Sequence, residues 1–233
     1  MDDITRLAER CKTALPLSVA NLGAEYGYKC LPLCVIDAVW SIGVRYGSVR
    51  NVVSRYEAHF HLEDTAAQSH HTITDMVSAM QASGLPYFTD HIFQNRQRTS
   101  TRNGILKTEA VFQFASTLLR HNMNTIDDVP KIEWFENLGN EMSHPYAEEI
   151  LSIPGQTSGI ALTYFYMLTG SPGLVKADRM VIDFLQETLN KSVSLYDAQR
   201  FISYASQKLC ADFPEMTPRM LDHQIWKYQR QVP

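Results

Sequence analysis

Apolar residues recur at three- and four-residue spacing through almost the whole chain, and no stretch alternates as a half-buried strand does. The pattern predicts helices over 32–41 and 49–56, separated by Gly47-Ser48. A helix over 73–82 stops at Ser83-Gly84, and one over 106–121 puts Ala110, Val111, Phe114, Ala115 and Leu118 on one face. Residues 126–138 read as a short helix interrupted by Pro130. Ile150, Leu151 and Ile153 end an apolar run at Pro154-Gly155, and the chain then turns through Gln156-Thr157-Ser158-Gly159. A strongly apolar helix over 160–169 is stopped by Gly170-Ser171-Pro172-Gly173. Helices over 177–190, 195–209 and 218–228 complete an all-α chain of roughly ten helices, without repeats, low-complexity tracts or linkers.

The Pro154-Gly155 turn carries the first candidate chemistry. Glycine tolerates positive φ, and Ser158 is placed to cap the helix that follows. The start of that helix offers backbone N–H donors and the positive dipole end, which suits a phosphate and reads no sequence. Gly155, Gln156, Thr157 and Ser158 are therefore candidate nucleic-acid contacts. An ordinary corner in a packed α protein is the competing explanation.

Composition narrows the class. The 233 residues are 45% hydrophobic and 20% charged, as in ordinary globular domains, so a sizeable core is available. No apolar run is long enough to span a membrane, and Met1-Asp2-Asp3 does not open a secretory leader, so a cytoplasmic protein is expected. The net charge of −4 shifts attention from total charge to its distribution. Arg96, Arg98, Arg102 and Lys107 fall in an acid-free stretch rich in small polar residues, which reads as a phosphate-tracking loop. Cys11, Cys30, Cys34 and Cys210 lack the spacing of a zinc site and read as buried thiols. His59, His61, His70 and His71 lack a third ligand at convincing spacing, so neither metal nor cofactor is expected. Asp222 and His223 read as structural groups of the last helix.

Helix, glycine turn, apolar helix and downstream Asp178 together resemble the helix-hairpin-helix DNA glycosylase superfamily, which includes endonuclease III and the alkyladenine glycosylases. Leu33–Ser41 and Gly104–Ala110 can be laid on the family in order. The chain departs from the family's pattern in having Gln156-Thr157 where a second hairpin glycine is usual. It also lacks the glutamine that follows the early helix. The resemblance implies two helical lobes with a cleft between them: residues 30–170, containing the hairpin at 154–159, and residues 1–29 with 171–233. A C-terminal iron–sulfur cluster is not implied, because only Cys210 is available there.

The resemblance also implies site residues. Asp178 matches the catalytic aspartate, which stabilises the positive charge that builds on the sugar and orients water. A second register places Lys176 at that position. Gly159 takes the place of the Schiff-base lysine, implying a monofunctional enzyme. Gly159 and Thr163, one helical turn apart, are implied to face a flipped base, with Trp40, Arg45 and Tyr46 as stacking or wedging groups. The implied partner is double-stranded DNA bound by a monomer. The substrate would be a damaged or modified base, possibly bulky, in repair or in defence against foreign DNA. A non-catalytic DNA-binding module and an unrelated helical interaction protein are the rival readings.

Overall fold

A computed structural model describes residues 1–231, and no strand occurs among them; one isolated bridge pairs Arg98 with Leu106. In chain order the helices are α1 (Asp3–Ala14), α2 (Leu31–Trp40), α3 (Tyr46–Phe60), α4 (Thr65–His70) and α5 (Ile73–Ser83). Next come α6 (Leu85–Tyr87), continued by a π turn over Phe88–Ile92, then α7 (Lys107–Arg120) and α8 (Leu138–Met142). The remainder are α9 (Pro145–Ser152), α10 (Ile160–Leu168), α11 (Arg179–Leu189), α12 (Leu195–Leu209) and α13 (Pro218–Gln229). No helix among the described residues is long and apolar enough to cross a membrane.

The chain forms two compact units. The first joins Met1–Tyr26 and Lys131–Gly139 to everything from Gly170 onward. Its core is the meeting of α1, α11, α12 and α13 through Leu7, Cys11, Phe184, Leu185, Ile202 and Leu221. Asp2 caps α1, whose buried stripe, Leu7, Ala8 and Cys11, faces that core.

The second unit comprises Gly27–Pro130 and Asn140–Thr169. Every residue of α2 is buried, as is α10 from Ala161 to Leu168. Helices apolar on all sides belong at the centre of a bundle, and α10, α7 and α3 pack around α2.

Three sequence expectations shift. The break before α3 lies at Gly43 (φ 70°), not at Gly47-Ser48, which sit in the first turn of the helix. Residues 126–138 form two separate 3₁₀ turns instead of one helix. Residues 131–139 belong with the terminal unit, where the expected division kept them in the 30–170 lobe. The cause is a set of bonds to the 170–173 link. Ile132 N–H donates to Ser171 Oγ at 3.0 Å and Gly173 N–H donates to Ile132 O at 3.2 Å. A Cβ on Gly173 would lie 2.3 Å from Glu133 O, so only glycine permits this approach.

Candidate nucleic-acid interface and carboxylate corner

The turn between α9 and α10 is held by two left-handed glycines and two backbone bonds. Gly155 has φ 88° and Gly159 φ 75°. Gln156 N–H donates to Ile153 O at 2.9 Å, and Gly159 N–H donates to Gln156 O at 3.0 Å. Gly159, not Ser158, occupies the cap position of α10, and no side chain makes the usual cap bond; Ser158 Oγ reaches only Ile160 N–H, at 3.5 Å. Pro154, Thr157 and Ser158 are exposed. Gln156 is buried with its Oε1 lacking a partner, so its side chain is withdrawn from the surface role expected of it.

The basic stretch packs on this turn. A Cβ on Gly155 would lie 2.5 Å from Thr99 Cβ, so the glycine is where the loop and the turn touch. The loop is internally braced. Thr99 N–H donates to Ile105 O at 2.9 Å, Lys107 N–H to Gln97 O at 2.9 Å, and Asn103 takes φ 59°.

Its four cations then separate by role. Arg102 is exposed, and Arg96 is exposed while paired with Asp90 at 2.7 Å. Arg98 is exposed as well, but its guanidinium is engaged by the loop's own Gly104 carbonyl, with Nε at 2.9 Å. Lys107 corrects the expectation of a phosphate contact: it is 1% exposed, and its Nζ donates to Trp40 O and Ile42 O, both at 2.8 Å. A buried ammonium on the last carbonyl of α2 and on that of Ile42 just beyond it satisfies both and complements the helix dipole.

The residues assigned to a base pocket also divide. Arg45 is exposed and Tyr46 half-buried, at the start of α3. Trp40 is fully buried against Phe93, with ring centroids 4.6 Å apart, and cannot stack on a base. Thr163 N–H donates to Gly159 O at 2.9 Å, placing the two one turn apart, but Thr163 is buried. Gly159 is small for a conformational reason, because α10 begins in the left-handed region. The same face of α10 continues to Tyr166, whose hydroxyl meets that of Tyr146 at 2.7 Å.

In the terminal unit Asp178 caps α11. Its Oδ1 accepts from Met180 N–H at 2.9 Å and from Val181 N–H at 3.3 Å, leaving Oδ2 outside the cap. The two N–H donors fix the carboxylate at the start of the helix. Asp178 N–H closes a tight turn onto Lys176 O at 2.6 Å, and both side chains are half-buried. Lys176 belongs to this corner, two residues before the cap, and the second register would make a cation of the charge-stabilising group.

Beneath the corner lies a residue that sequence reasoning assigned to mere support. Asp222 of α13 is 3% exposed; it receives the Lys176 backbone N–H, and its Oδ1 has no partner. Burial drives its carboxyl well above the usual carboxylate range, and the nearby Asp178 charge pushes the same way against an opposing pull from Lys176. The available signal was positional: Pro218, Leu221 and Ile225 mark the buried stripe of α13, and Asp222 falls on it. Next to it, His223 is buried between Tyr26 and Trp226, with Nδ1 3.8 Å from Glu25 Oε1. Burial lowers its pKa to about 4, and Lys227 adds to the effect.

No group of three or more His, Cys, Asp or Glu side chains placed to hold a metal occurs among the described residues. All four cysteines are free thiols; Cys210 is only half-buried, where full burial was expected.

The chain belongs to the family described as Domain of unknown function (DUF8548), whose model matches residues 5–230. Neither the curated proteins nor the solved structures contain a match to it.

Proposed function

We propose that this protein is a monofunctional DNA glycosylase that hydrolyses the N-glycosidic bond of a damaged or modified base. The observation that carries the reading is Asp178, a helix-capping carboxylate with one oxygen outside the cap, downstream of a glycine turn braced by a basic loop. Each part has a physical role. The Gly155–Gly159 turn and the uncapped start of α10 supply backbone donors for a DNA phosphate, and Arg96 and Arg102 add sequence-independent charge. Asp178 opposes the positive charge that develops on the sugar as the base departs, and it orients the water that attacks. Because its cap bonds fix the carboxylate before substrate arrives, little reorganisation accompanies the reaction.

No amine stands at Gly159, so water completes the reaction and the strand remains intact with an abasic site. The test is incubation of the protein with duplexes carrying different modified bases, scored for free base, strand cleavage and borohydride-trapped adducts. Free base with an intact strand and no adduct is the expected result. A trapped covalent adduct would replace the water mechanism with an amine nucleophile, and absence of base release across the panel would overturn the reading.

A further inference from the structure

Asp222 is an unusual resident of a helical core. A carboxyl group with one orphan oxygen, sealed from water, is strongly disfavoured when charged and tolerated far better as the neutral acid. Its position gives it something to hold. The other oxygen takes the backbone N–H of Lys176, and Lys176 O in turn accepts the N–H of Asp178. A short chain of bonds therefore runs from the interior of α13 to the backbone of the α11 cap. We propose that Asp222 is a positioning residue: held inside the core by α13, it fixes the Lys176–Asp178 turn and thereby aims the Asp178 carboxylate.

Neutrality matters as much as the bond. The charged groups acting on Asp222 are Asp178 and Lys176, both from the segment entering α11, while Arg219 and His223 of its own helix face Tyr26 and Glu25. An ionised Asp222 would set a second negative charge beside Asp178 and leave a charged oxygen without a partner in the core. The catalytic consequence rests on Asp178 having the charge-stabilising role proposed above; the structural consequence does not.

The experiment compares Asp222→Asn, Asp222→Leu and the unaltered chain by amide hydrogen exchange at Lys176, the titration of Asp178 followed by carboxyl NMR, and base release. Asparagine keeps a neutral acceptor for Lys176 N–H, so the variant retains Lys176 protection, the Asp178 titration and base release within a few-fold. Leucine removes the acceptor: Lys176 exchange accelerates, the Asp178 titration moves, and base release falls about 100-fold, as misplacing a reacting group does. Should Asp222→Leu not fold, the asparagine variant still decides, because retained Lys176 protection and activity support the neutral acceptor and their loss refutes it. Unchanged Lys176 exchange in a folded leucine variant also overturns the inference. If the exchange and titration results hold but no chain releases any base, the positioning role stands and the glycosylase reading fails.

Discussion

The turn at 153–159 and the corner at 176–178 are both short backbone devices at a helix start, yet they are built from different forces. The turn is steric. Gly155 and Gly159 supply positive φ, and Gly155 has no side chain because Thr99 occupies that space. The corner is electrostatic and long-range in sequence. Asp178 caps α11 while Asp222, from the last helix, holds the turn from inside. A device made of backbone shape announces itself locally through glycine. One made of burial depends on a partner that only the fold brings near.

Substitutions break this contrast in order of expected size. Lys107→Ala should cost the most stability, about 3 kcal/mol, because the carbonyls of Trp40 and Ile42 lose their donor inside the core. Chemical denaturation checks it, and a loss below about 1 kcal/mol would show that water replaces the ammonium. Gly155→Ala follows, at about 1–3 kcal/mol, since the new Cβ meets Thr99 at a strained φ. A neutral result would mean that the loop moves aside, and the turn would then be soft, not steric.

How much of this was legible in the sequence varies by element. The boundaries of α12 are the predicted ones, because an amphipathic stripe between Ser194 and Cys210 is a local property. The all-α class was likewise readable from spacing alone. Residues 126–138 misled because their partner, the 170–173 link, lies far along the chain. Lys107 misled because a lysine in a polar run looks solvated, and only the end of α2 explains its burial. Asp178 stands at a helix start that the sequence marks locally, whereas Asp222 reads only as a support. A carboxylate on a buried stripe is a visible anomaly, but what it touches is not.

The corner makes two opposing pH predictions. His223 has its pKa lowered to about 4 from 6.5, so the unfolded chain binds its proton first. The stability held by its neutral ring is complete above about 6.5 and is lost as pH falls toward about 4. His223→Gln should flatten that acid limb of the Tm profile; an unchanged limb would assign it to other groups. Asp222 has the reverse sign. Its raised pKa means that the folded chain keeps a proton the unfolded chain releases, so stability declines as pH climbs above the ordinary carboxylate range. Asp222→Asn should remove that decline.

The smallest effect belongs to the loop surface. Arg102→Ala should weaken DNA binding equally across sequences and reduce the slope of log affinity against log salt by about 1. The same slope for variant and parent would place Arg102 away from DNA.

If Asp178 is the charge-stabilising carboxylate, Asp178→Asn isolates its charge. Asparagine caps a helix about as well as aspartate, so the fold should keep its stability within about 0.5 kcal/mol. The decisive measurement is single-turnover release of free base from a modified duplex by parent and variant, with DNA affinity measured alongside. The parent should release base, the variant should lose at least about 100-fold in rate, and the two should bind DNA with nearly equal affinity. Release by Asp178→Asn at the parental rate would contradict that role.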